Sequence, residues 1–163
     1  MNVQLEKWEY EHAVYIAGRR LAENKDRKDA KQYQNDYKQD EITANVATCC
    51  CEIAVAKLFN EYWHAHVWDV RDHDKYKDFP DVGKDIEVRR VRKKDTPVAV
   101  RRDDVSLNRI IVAVYAETPI FWNLDVLGVI KAGKGWEIGK PAHYDLKDTK
   151  TVPISELSFE DPA

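Results

Sequence analysis

Phe79-Pro80-Asp81-Val82-Gly83-Lys84-Asp85-Ile86-Glu87-Val88-Arg89-Arg90-Val91-Arg92 is the stretch on which the reading of this chain turns. Pro80 and Gly83 punctuate it, so Asp81 falls at or beside a turn. Beyond Gly83 the spacing predicts a strand with Ile86, Val88 and Val91 as its β-branched positions. Side chains alternate along a strand, so Glu87 and Arg89 share one face and Ile86 and Val88 the other. Two carboxylates and a cation beside a short hairpin are costly to desolvate unless they pair or bind a metal.

The helix predicted over residues 41–60 precedes this hairpin. Asp40 is its candidate N-cap and Glu41 lies in its first turn. Ile42, Val46, Cys49, Ile53 and Ala56 recur at helical spacing, and apolar residues spread well beyond that stripe, as in a buried helix. Glu52 sits at the stripe's edge among Cys49, Val55, Ala56 and Phe59. A glutamate in those surroundings is either a site residue or the partner of an arginine from a neighbouring element. Cys49, Cys50 and Cys51 are adjacent, so they point in different directions and are poorly placed to bridge one another. They read as small buried helix residues rather than a redox or metal cluster.

An earlier helix is predicted over residues 5–22, with Tyr10, Val14, Ala17 and Leu21 as its stripe. Residues 23–40 are polar and read as a connector, in which Lys25, Arg27, Lys28 and Lys31 with Tyr33 and Tyr37 are arranged for either a solvated loop or a nucleic-acid contact. Residues 61–70 predict a short strand carrying His64 and His66 on one face. With His73 these offer an alternative zinc reading, though without a zinc-type motif. Arg71–Lys77 reads as an exposed loop.

After the hairpin, strands are predicted at 97–100, at 109–115, at 121–130 with a bulge at Gly128, and at 151–157 with one helical turn. The apolar run at 109–115 suits a sheet centre covered on both faces. Residues 133–140, with three glycines and Trp136, read as a loop whose spacing is not that of a phosphate cradle. The expected fold class is α+β, a mixed sheet with two N-terminal helices packed on it. The chain divides as one domain over 1–163: a helix and connector over 1–40, a core over 41–131 and an extension over 132–163.

At 163 residues a single core can bury roughly 70% of the unfolded surface without disulfides or zinc. The net charge of −3 excludes a broadly basic nucleic-acid coat, so any such contact must come from a local patch. That patch is Arg90, Arg92, Lys93, Lys94, Arg101 and Arg102, beside Arg89. A charged, solvated strand edge is the competing reading. No leader-like stretch or long apolar run stands out, so a cytoplasmic protein with no membrane association is expected.

Pro80-Asp81, a turn, then Glu87-Val88-Arg89 resembles the signature of the PD-(D/E)XK nuclease superfamily, with arginine at the lysine position. The wider pattern, Glu52-Ile53-Ala54-Val55-Ala56-Lys57 followed by Pro80-Asp81-Val82-Gly83 and Ile86-Glu87-Val88-Arg89, is similar to a group of small phage-encoded proteins of that superfamily. The resemblance spans about residues 41–131. It implies a restriction-endonuclease-like helix–strand–strand–strand–helix–strand core, and hydrolysis of DNA phosphodiester bonds with Mg2+ or Mn2+. Asp81 and Glu87 would be metal ligands, Glu52 a supporting acid, and Arg89 would stand in the lysine's place. It also implies DNA as partner, with a homodimer and, if the chain is phage-encoded, the host cytoplasm as its location. Arginine stays charged and is a poor proton shuttle. The alternative is therefore a protein that keeps the nuclease fold, lacks the chemistry and binds nucleic acid or a host protein. A surface hairpin whose Glu87 and Arg89 simply pair with neighbours is the plainest competitor.

Overall fold

The computed structural model describes residues 1–24, 41–117, 121–142 and 148–160. Its fold is α+β. The elements run β1 (Asn2–Gln4), α1 (Lys7–Asn24), α2 (Glu41–Phe59), a 3-10 turn (Val70–Asp72), α3 (His73–Tyr76), β2 (Ile86–Val91), β3 (Val98–Arg101), α4 (Arg102–Ser106), β4 (Ile110–Ala116), β5 (Asn123–Lys131), α5 (Ala132–Ile138), β6 (Lys140–Pro141), β7 (Thr149–Val152) and a closing 3-10 turn (Ile154–Glu156).

Two sheets result. The larger is mixed, in the order β1-β5-β4-β2, and the smaller is β3-β7-β6. Within the larger, β2 runs parallel to β4, while β4–β5 and β5–β1 are antiparallel. The apolar run read as a sheet centre is β4, with a neighbour on each side and Ile111, Val112, Ala113 and Val114 fully buried. The bulge expected at Gly128 is present: Ala113 pairs with Gly128 and Val114 with Val126, so Leu127 is the extra residue. A side chain at Gly128 would collide with Leu157, because the C-terminal segment crosses there and Ser158 bridges Val129.

Alternation splits the core in two. Ile86 and Val88 of β2, with Val112 and Val114 of β4, face α2 and α1. Ile111, Ala113 and Ile130 face the opposite way, onto Val98, Val100 and Val152 of the small sheet. Helix α2 is buried from Cys49 to Ala56, which accounts for its all-round apolar sequence. By length and composition alone it could cross a membrane, a run the sequence reading did not single out; here more than half of it is core.

Burial pushes the Cys50 thiol up to about 12 and those of Cys49 and Cys51 higher still. The three thiols are therefore expected to stay unreactive toward Ellman's reagent in the native protein and to react on unfolding. Prompt labelling of the folded protein would contradict this packing.

Several expectations are corrected. The buried face of α1 is Glu9, Ala13, Ile16 and Ala17, and Val14 is exposed; the face is rotated because α1 packs against α2 through alanines. Residues 61–70 form only a bridge between Trp63 and Val82 rather than a strand. His73–Tyr76 and Ala132–Ile138 are short helices where loops were expected. In the latter, Gly135 admits Val100 at a distance where a Cβ would crowd it. Strand β1, ahead of the first helix, forms an edge of the main sheet, a strand the sequence does not suggest. Asp40 and the polar run 25–40 lie outside the described residues.

Candidate functional site

Strand β2 is the other edge of the main sheet, and the candidate residues gather along it. Asp81 and Val82 fold back onto its start: the Asp81 and Val82 amides both donate to the Ile86 carbonyl, at 3.1 and 3.2 Å. The Trp63 segment adds to this edge, with the His64 amide on the Asp81 carbonyl at 3.2 Å and the Gly83 amide on the Tyr62 carbonyl at 2.8 Å. Gly83 has φ +57° and Glu61 lies where a Cβ would go, so the turn needs glycine twice over.

The Asp81 carboxylate lies along the strand edge. Its Oδ2 accepts from the Val88 amide at 2.9 Å, filling the place a neighbouring strand's carbonyl would take. Its Oδ1 is 3.2 Å from Nε2 of His66, whose ring stacks on Trp68. Burial works against ionisation of Asp81. The His66 and Val88 hydrogen bonds and the charge of Arg89 outweigh it and hold the carboxyl below its usual range.

Glu87 and Arg89 do share a face, as the alternation requires: they pair in register with Ile111 and Ala113 and point toward the small sheet. Glu87 Oε1 accepts from Arg89 Nη1 at 2.7 Å. The other amino group of Arg89, Nη2, donates to both oxygens of Asp104 at 2.9 Å each. Asp104 also accepts from the Arg101 amide at 2.8 Å, at the start of α4, and is 5% exposed. Arg89 Nε is buried with no hydrogen-bond partner among the described residues. Both of its amino groups are spent on carboxylates, so the guanidinium read as standing in the lysine's place is a clamp between two acids.

Burial pushes the Glu87 carboxyl up, and the charges of Asp81 and Asp104 add to that; Arg89 offsets only part of it. Asp81 and Glu87 are thus pushed in opposite directions. The sign for stability follows. A carboxyl raised in the fold contributes most when protonated, and that contribution is lost as pH rises from the ordinary glutamate value of 4.5 through the folded one. Glu87→Gln is therefore expected to gain urea resistance relative to the parent as pH is raised from about 4 to 7. A gap that shrinks over that interval would show that Arg89 outweighs burial.

Glu52 takes a different course. It is 2% exposed and held bidentately by Arg20 of α1, at 2.8 and 2.9 Å, with a third hydrogen bond from Trp63 Nε1 at 2.8 Å. Arg20 Nε donates to the His66 carbonyl at 3.0 Å. Helix α2 lies on the Ile86–Val88 face of the sheet, whereas Glu87 lies on the other. The expected convergence of Glu52, Asp81 and Glu87 is therefore not found: the sheet separates the two glutamates and Glu52 is the arginine partner of a neighbouring helix. Among the described residues no group of three His, Cys, Asp or Glu side chains is placed to hold a metal ion. The zinc reading fails on the same ground. His64 meets the Gly83 carbonyl, His66 meets Asp81, and His73 accepts from Trp68.

What remains is Glu87 and Asp104 on one guanidinium, with Asp81, held by His66 and the Val88 amide, beside them along β2. Magnesium usually keeps several waters and takes one or two carboxylates, so the Asp81–Glu87 pair fits such an ion without Glu52.

The basic patch divides. Arg90 lies over Phe121, and burial lowers its pKa. Lys94 pairs with Asp125 at 2.6 Å, and Arg102 with Asp148 at 3.0 Å while lying over Trp136. Lys93 and Arg101 are exposed and Arg92 is half-buried. Arg101 and Arg102 precede Asp104 at the start of α4, whereas Arg92, Lys93 and Lys94 follow the far end of β2. A shallow groove of about 310 Å³ lies apart from the cluster, between α1 and the end of α2, lined by Trp8, His12 and Trp63.

Arg20, His66 and Asp104 are the members the sequence does not single out for these roles. Arg20 sits in a mixed-charge helix, and only the pairing of α1 with α2 shows its task. Asp104 carries a local signal, being an aspartate three residues after Arg101 at a helix start. No family model matches this chain, and comparison with curated proteins and with solved structures finds no similar one.

Proposed function

We propose that this chain is a magnesium- or manganese-dependent phosphodiester hydrolase acting on DNA, with Asp81 and Glu87 as its metal-binding pair. The observation that carries the reading is that Asp81, bonded to the Val88 amide, lies beside Glu87 on the edge strand β2, where Arg89 is shared between Glu87 and Asp104. The order of elements supports it in part. A helix (α2), a strand (β2), a short helix (α4) and a strand parallel to β2 (β4) occur in the sequence that the restriction-endonuclease-like core would have, while the two strands it would place before β2 are here only bridges at Trp63 and Val82.

A bound divalent ion would supply Lewis acidity and a water of lowered pKa. The chain's own residues do the rest. The Val88 amide and His66 fix Asp81 in one orientation, and Arg89 fixes Glu87. Arg101 and Arg102, exposed at the start of the helix that carries Asp104, are cations a DNA backbone would meet. Supercoiled plasmid incubated with the protein and Mg2+ or Mn2+ is expected to be nicked, and chelation is expected to stop it. Cleavage that persists in excess chelator would refute the reading.

A second reading has a specific observation behind it. Glu52 is held by Arg20 and Trp63, and both amino groups of Arg89 are held by carboxylates. A nuclease-fold protein without the chemistry, binding nucleic acid or a host protein as a monomer or homodimer in the cytoplasm, would have this arrangement. Manganese calorimetry separates the two, since that reading expects no binding heat.

A further inference from the structure

We infer that Asp104 is a positioning residue of the proposed site, one that draws Arg89 away from Glu87 and so leaves Glu87 able to bind a cation. The inference rests on the proposed reading of Asp81 and Glu87. Its basis is the uneven sharing of one guanidinium. Asp104 takes two hydrogen bonds from Nη2, whereas Glu87 takes one, from Nη1 to Oε1. An arginine facing a single carboxylate usually grips both of its oxygens. Here the fork is split: Nη2 alone spans both oxygens of Asp104, and Nη1 reaches only Oε1 of Glu87, so Arg89 does not hold Glu87 Oε2.

Asp104 is itself fixed on two sides. The Arg101 amide donates to it at 2.8 Å, and the first turn of α4 carries it, so its carboxylate is a rigid counter-ion rather than a mobile one. Strand β2 supplies Glu87 and Arg89, and α4, between β3 and β4, supplies Asp104. The two arms come from parts of the fold that meet only when the small sheet packs on the larger. The neighbouring Asp103 is exposed and makes no such contact, which singles out one of two adjacent aspartates.

Neutralising Asp104 removes the competing charge. The guanidinium then turns its full fork to Glu87 and competes with a cation for it. Asparagine keeps the shape and can still accept from the Arg101 amide. Manganese titrated into the purified protein by calorimetry is expected to bind the Asp104→Asn variant at least tenfold more weakly than the parent. Asp104→Glu is expected to restore most of the affinity, and Asp103→Asn to leave it unchanged.

A folded Asp104→Asn variant with parental manganese affinity overturns the inference and leaves the proposed metal pair standing. Absence of manganese binding by the parent overturns both. Should Asp104→Asn not fold, Asp104→Ser decides. It removes the same charge with a smaller side chain and is expected to show the same tenfold loss of manganese affinity. Parental affinity there would overturn the inference.

Discussion

Replacing Arg20 by alanine is expected to destabilise the protein by about 3–5 kcal/mol, the cost of stranding one partner of a buried ion pair. Glu52 is 2% exposed and the Arg20 side chain 12%, so water cannot take over the lost contacts. Without Arg20 the carboxylate keeps only Trp63 Nε1. Burial opposes the charge of Arg20, but Glu52 above all, with help from Cys49 and Asp81, raises its pKa further above the usual guanidinium value. The loss reaches the site as well, because Arg20 also holds the His66 carbonyl and His66 holds Asp81. In a chain of this size each kcal/mol shifts Tm by about 2–4 °C, so thermal unfolding should move by at least about 6 °C. The double variant Arg20→Met/Glu52→Leu should recover much of this, since apolar replacement of a whole buried pair is often neutral. A loss below about 1 kcal/mol for Arg20→Ala, the value of an exposed pair, would contradict the buried placement.

Asp81→Ala is expected to lower plasmid nicking by more than about 100-fold while leaving the fold intact. Loss of a group that merely orients a ligand costs about 10–100-fold, and a direct ligand should exceed that. The stability cost is smaller, about 1–3 kcal/mol, for an unsatisfied Val88 amide and a bare His66. Asp81→Asn sharpens the test. It can still accept from Val88, so stability should stay close to parental while cleavage falls. Cleavage retained in Asp81→Asn would move the metal role elsewhere; cleavage lost only together with the fold would make Asp81 a strand-edge brace.

The parts of this architecture legible in the sequence are those fixed by local pattern. Alternation in Ile86–Val91 placed Glu87 and Arg89 on one face, and the unbroken apolar run placed β4 at the sheet centre. Gly128 marked a bulge that the register shows. Helix α2 announced its burial by being apolar all round. What stayed hidden depends on which elements meet. Glu52 looks equally like a ligand or an ion-pair partner until α1 brings Arg20 to it. Proximity in the motif suggested that Glu52 and Glu87 converge, but a sheet lies between them. The sharing of Arg89 with Asp104 also stayed hidden, because that aspartate, fifteen residues away, is brought to it only by the β2–β3–α4 path.

The central claim is that Asp81 and Glu87 form a cation site at the edge of β2, and calorimetric titration with manganese tests it most directly. The parent protein is expected to bind manganese saturably, with that binding abolished in both Asp81→Ala and Glu87→Ala and retained in Glu52→Gln. Binding heat undiminished in the Asp81→Ala and Glu87→Ala variants, or no heat in the parent, would contradict it.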